Sequence, residues 1–169
     1  VDSLRYFTDK SADVLGGQVS YKIKKGKISF AYDRIFAHGR YLFPREWGRE
    51  FLFTFQKRER SEGSADNHAV LLSYDSRITF GKNSLRSIYG IGRQWKASVL
   101  DPAKNKYAIP SYTHFSMDLF LTLDKVPNFR PEFLVIYKMN NATDFNDNPR
   151  FIMNRVDIWN FNLVLNYRF

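Results

Sequence analysis

The final ten residues of the chain, "NFNLVLNYRF" (Asn160 to Phe169), alternate without a break. Phe161, Leu163, Leu165, Tyr167 and Phe169 fall on one side of an extended chain, and Asn162, Val164, Asn166 and Arg168 fall on the other. Successive side chains of a β-strand point to opposite faces, so period two makes one apolar and one mostly polar face. A helix with the same sequence would scatter those apolar residues around its axis. The row runs to the last residue and ends on an aromatic, so the last strand is expected to reach Phe169.

The same period recurs upstream, and helical spacing is hard to find. Phe115, Met117, Leu119, Leu121 and Leu123 form a row between Thr113 and Asp124, and Phe133, Val135, Tyr137 and Met139 form another. The last strand is expected from about Arg155, with Trp159 extending its apolar row. Shorter rows run through Val19, Tyr21 and Ile23, through Ile28, Phe30 and Tyr32, through Val70, Leu72 and Tyr74, and from Tyr89 and Ile91 to Trp95. Seven strands are expected, and "FLFTFQ" (51–56) is a candidate short eighth. "KKGK" (24–27) and "KVPN" (125–128) read as tight turns, and 76–84 as a somewhat longer link. Residues 37–66, 97–111 and 140–154 are long connections.

Short and long connections therefore alternate. Sorting them to opposite ends is how outer-membrane barrels are built. Hydrocarbon cannot hydrogen-bond a peptide group, so a sheet in lipid closes on itself with its apolar face outward. A tilted strand needs roughly 9–11 residues to cross, longer than the roughly 5–6 typical of globular proteins. The expected fold is all-β: an antiparallel up-and-down transmembrane β-barrel with about seven or eight strands in the chain, as one domain over 1–169. The tight turns would be periplasmic and the long loops extracellular.

Composition bounds the rest. Lys and Arg number 26 against 17 Asp and Glu, a net charge of +9, which favours anionic partners. Aromatics make up 17% of residues, and Phe and Tyr, which suit strands, dominate them. There is no cysteine, so no disulfide or thiolate metal site can be built. No apolar run is long enough for a transmembrane helix, and "VDSLRYFTDKSADV" at the start lacks the apolar core of a signal peptide.

The closing strand resembles the C-terminal insertion signal of bacterial outer-membrane proteins on Phe161, Leu163, Leu165, Tyr167 and Phe169. That resemblance implies residence in the outer membrane and recognition by the barrel-assembly machinery. "PREWGREFLFTFQKRERSEGSADNHA" (Pro44 to Ala69), "KYAIPSYT" (Lys106 to Thr113) and "VIYKMNN" resemble the C-terminal part of OprD-type porins, particularly Bacteroidetes versions. The resemblance implies a barrel of roughly 18 strands that passes small solutes past lumenal basic residues, with this chain as its C-terminal part.

Candidate site residues follow from charge and position. Arg40, Arg45, Arg49, Lys57, Arg58 and Arg60 sit in the long connection with Glu46, Glu50 and Glu59. One reading folds this segment into the barrel mouth, where guanidinium groups attract anions. The other leaves it as a solvated loop paired internally or with lipopolysaccharide phosphates. Lys22, Lys24, Ser29, Asp33, Asp118, Glu132, Lys138, Asn162 and Arg168 are expected to face the lumen, with Lys22 and Lys138 as further anion-binding candidates. Trp95, Trp159, Tyr167 and Phe169 are candidates for aromatic girdles.

His38, His68 and His114 form no metal or catalytic motif, and His38 and His68 flank one loop. Asp144 and Asp147 offer at most a weak calcium motif. No catalytic residue, cofactor or metal is expected. The leading expectation is a passive diffusion channel for small hydrophilic, anionic or carboxylate-bearing solutes, with outer-membrane lipid, lipopolysaccharide and a larger outer-membrane complex as expected partners. Alternatives are a filled small barrel that anchors or binds at the surface, the tail of an active transporter, and a soluble basic domain binding nucleic acid by aromatic stacking. The terminal aromatic row and the sorted loops argue against nucleic acid.

Overall fold

A computed structural model describes residues 11–43, 50–145 and 156–169. Seven strands form among them: β1 (Val14–Ile23), β2 (Gly26–Ile35), β3 (Asn67–Phe80), β4 (Asn83–Trp95), β5 (Tyr112–Thr122), β6 (Phe129–Asn140) and β7 (Ile158–Tyr167). They make one sheet in sequence order, and every neighbouring pair is antiparallel. Each strand is 10 to 14 residues long. None of the described residues forms a helix long and apolar enough to cross a membrane, which has no bearing on strands.

Connections sort as expected. Residues 24–25, 81–82 and 123–128 join strands at one end, and the long connections lie at the other. Two expectations need correction. The link expected at 76–84 is mostly strand: β3 runs on to Phe80, β4 starts at Asn83, and Gly81 turns between them at φ +62°. "FLFTFQ" is not a strand. Phe55 N–H donates to Leu52 O at 3.2 Å, so its backbone is committed to turns and has no neighbouring strand.

Residues opposite one another in register share a face. On the first face, Ala31 pairs with Leu71, which pairs with Gly92, His114 and Lys138 in turn across the sheet. Ser29, Asp33, Asn67, Gln94, His114 and Asp118 are buried there, together with Ile35, Leu134 and Ile136. Described parts of the long connections cover this face. The second face is apolar and open. Val19 is 76% exposed, Phe161 65%, Leu163 66% and Leu165 61%. Monomeric soluble proteins rarely leave so continuous an apolar face uncovered.

Aromatic side chains collect at both ends of the open face. Tyr137 and Trp159 have ring centroids 4.8 Å apart near the loop end, and Tyr167 and Phe169 lie 5.1 Å apart at the turn end. Among the described residues β1 and β7 each pair on one side only, so the sheet they form is open. Gly81 faces open space, so only its left-handed backbone limits substitution. Gly81→Ala is expected to destabilise the fold by about 1 kcal/mol, and Gly81→Asn by less, as read from denaturation midpoints.

Candidate functional site

A stretch of irregular chain from Phe53 to Arg60 lies across the loop-covered face. Its anchors run from β2 to β7. Thr54 N–H donates to Asp33 Oδ2 on β2 at 2.6 Å. Gln56 Nε2 donates to Ser116 Oγ on β5 at 3.2 Å. Beneath Gln56 the sheet offers a trough. A Cβ on Gly90 would come 3.1 Å from Gln56 Nε2, and one on Gly92 would collide with Gln56 Oε1. Two glycines on the same face of β4 therefore let the segment approach the backbone.

Two charge clusters hold the segment further along. Lys57 Nζ lies 2.5 Å from Asp118 Oδ2 and also pairs with Glu132, and it sits 4.9 Å from the centre of the Phe120 ring. Burial would lower the Lys57 pKa, but Asp118 and Glu132 outweigh it and raise it overall. Arg58 follows in a left-handed conformation, φ 64°, unusual for a residue with a side chain. Its Nη2 donates to Asn162 Oδ1 on β7 at 2.7 Å. Lys138 Nζ donates to Arg58 O at 3.3 Å.

Glu59 is the deepest anchor. Its side chain is 4% exposed, with Lys138 Nζ at 2.8 Å, His114 Nδ1 at 3.2 Å and the Tyr112 hydroxyl donating to its second oxygen. Burial raises the Glu59 pKa, opposed by Lys138. Half-buried Lys96 closes the cluster, donating to Ser64 Oγ at 3.2 Å and Arg60 O at 3.4 Å. Its crowded ammonium titrates at about 8, lowered by burial against the pull of Glu59 and Glu50.

The loops brace one another. The Glu50 carboxylate accepts from Ser61 N–H at 2.9 Å and Glu62 N–H at 2.7 Å. Ala65 N–H donates to Lys104 O at 2.7 Å, and Lys106 N–H donates to Gly63 O at 3.1 Å. Asn105 ties its own loop through Ala97 O and Ile109 O.

The expected site residues separate into groups. Lys57, Arg58 and Lys138 meet in this site, and Arg60 stacks over Tyr107 at 4.9 Å beside it. Arg40 is half-buried in the loops. Arg45 and Arg49, with Glu46 and Asp147, lie outside the described residues. Lys22 shares the face but stands opposite Lys27 at the far edge, and Lys24 is in a turn rather than on a strand. His38 pairs with Asp13 and His68 with Tyr32, so each has its own partner. Asp144 accepts from Val99 N–H at 3.1 Å, and no metal-holding group of His and acidic residues occurs among the described residues.

Sequence reading missed Gln56, Tyr112, His114 and Lys96 as parts of one site. Gly90 and Gly92, spaced by two on a strand, carried the available signal of close approach. Comparison of the chain with protein-family models, curated proteins and solved structures returned no match.

Gly92→Leu is expected to lift the segment from its trough and cost about 1–3 kcal/mol through overpacking, with new proteolytic cleavage between residues 53 and 60. Lys96 supplies a pH test. Its folded pKa of about 8 lies below the ordinary 10.5. The folded state therefore holds fewer protons in that window, and stability rises as pH climbs from about 8 toward 10.5. Lys96→Met should remove that part of the rise in denaturation midpoint. Glu59 acts in the opposite sense: its raised pKa favours the fold below about 4.5 and loses that contribution as pH rises through the folded value.

Proposed function

We propose that this chain is part of a transmembrane β-barrel forming a passive channel in a bacterial outer membrane, of the OprD porin type. The observation that carries the reading is the arrangement of the two faces: large apolar side chains stand exposed on one, and a charged segment lies across the other. In a bilayer the open face would meet acyl chains, and the covered face would line a lumen narrowed by residues 53–60. Lipid satisfies an apolar surface that water would not.

Three features support this. The strands are long enough to cross tilted. Connections sort by length to opposite ends. Trp159 and Tyr167 mark the two ends of β7 on the open face, about 27 Å apart along the strand before tilt, the scale of the band between aromatic girdles. Phe161, Leu163, Leu165 and Tyr167 lie on that face, and Phe169 follows them at the turn end, the arrangement an insertion signal would present. Among the described residues β1 and β7 each keep one free edge, and in hydrocarbon a free edge leaves peptide groups unpaired, so a barrel in lipid has to pair them.

The channel performs no covalent chemistry. Solutes would pass Arg58, whose guanidinium meets the neutral Asn162, while Lys57, Glu59 and Lys138 hold the segment in place. Weak, repeated contacts let small anions enter and leave.

The test is conductance of the full chain, purified from outer membranes and reconstituted in planar bilayers. Steady openings with a reversal potential favouring anions are expected. Reversing Arg58 to Glu changes the energy of a monovalent anion at about 8 Å by about 1 kcal/mol in water, so selectivity should fall roughly fivefold. A membrane-inserted protein without steady openings would point to a filled barrel. A protein left in the aqueous fraction after membrane sedimentation would end the membrane reading.

A further inference from the structure

Below the loop segment, toward the turn end, the covered face opens into a recess of about 390 Å³. Arg77 on β3, Arg86 on β4, Arg130 on β6 and Arg168 just after β7 line it, with Phe120 on β5 between the two pairs. Arginines this concentrated, on four separate elements, are not required by the sheet. Arg77 and Arg86 stand directly opposite one another in register, a like-charge placement that weakens strand pairing.

Local carboxylates do not neutralise the group. Asp75 grips Arg86 through two hydrogen bonds of 3.0 and 2.6 Å, and the more distant Arg77 shares that single charge. Glu132 lines the recess but is already paired with Lys57. Arg77, Arg130 and Arg168 have no carboxylate within ion-pair distance among the described residues. Their backbones are nonetheless held: Asn166 Nδ2 donates to Arg130 O at 3.2 Å, and Arg168 N–H donates to Asn128 O at 3.1 Å. The Phe120 ring stands 5.8 Å from the Arg86 guanidinium and offers an apolar wall.

We propose that this recess binds a dianionic phosphate group, carried by a small phosphorylated solute or present as free phosphate. A carboxylate offers two oxygens and one charge, which one guanidinium fork can match. Several forks around one recess fit a group with three or more acceptor oxygens and close to two charges. Arginine suits this because its planar donors pair with phosphate two at a time and keep their charge at every physiological pH. The role of the recess as a station on a solute path rests on the channel reading; phosphate binding itself does not.

The experiment is isothermal titration of the full chain in detergent with glucose 6-phosphate, inorganic phosphate and succinate. Saturable binding of the phosphates is expected, at least tenfold tighter than succinate. Arg77→Ala with Arg130→Ala should weaken it at least tenfold, Arg77→Lys with Arg130→Lys by less, and Lys104→Ala in a connection at the opposite end of the sheet not at all. Tighter binding of glucose 6-phosphate assigns the site to a phosphorylated solute, and equal binding assigns it to the phosphate group alone. Succinate binding as well as phosphate, or affinity unchanged in the double Ala variant whose circular dichroism matches the parent, would overturn the proposal. Conductance separates the two ideas: a conducting protein that ignores phosphate loses only the recess, and a phosphate binder that never conducts loses only the channel.

Discussion

Lys57 between Asp118 and Glu132, and Glu59 against Lys138, decide how this sheet is covered. An irregular segment has no ladder of its own, so backbone groups and charges that it carries onto a sheet need partners there. The strands supply them at matching places: Asp33 takes Thr54 N–H, Asn162 takes Arg58, and the glycines of β4 make room for Gln56. Removing one member of the Glu59 cluster would leave the others enclosed and unmatched. Buried ion pairs of this kind add little net stability, because desolvation offsets much of the attraction. Their effect here is on position: few other placements of 53–60 satisfy all these groups together.

Burying polar groups on one face leaves the apolar residues on the other, since period two permits no third choice. That is why an infolded charged segment and an exposed greasy face occur in the same sheet. Phe120 stands where the two charge regions meet, with both Lys57 and Arg86 close to its ring. Above it, Lys57 and Lys138 are matched by acids and hold structure. Below it, four arginines line one recess and an acid holds Arg86 alone among them.

Most of the strand content could be read from local pattern. The apolar rows of β5, β6 and β7 are long and regular, and strand geometry is a property of neighbouring residues. The ends of β3 and β4 were harder. Ser76 and Ser87 interrupt the apolar rows on the open face, so the alternation that continues through Ile78 and Phe80 was hidden. "FLFTFQ" carried the opposite error: alternation was present, but a strand also needs a neighbour to bond with, and sequence pattern does not reveal one. Of the site, Lys57, Arg58 and Lys138 were legible as charges in plausible places. Tyr112, His114 and Lys96 looked ordinary, because their importance comes from a segment tens of residues away.

The sequence by itself determined an all-β chain, the approximate strands, the sorting of short and long connections, and which residues share a face. Each of these depends on near neighbours and on the fixed two-residue repeat of extended backbone. Only the tertiary structure decided that residues 53–60 lie on the polar face, which charges match there, and that four arginines gather around one recess. Those outcomes depend on register between strands and on the path of a long connection, and both are set by contacts between residues far apart in the chain.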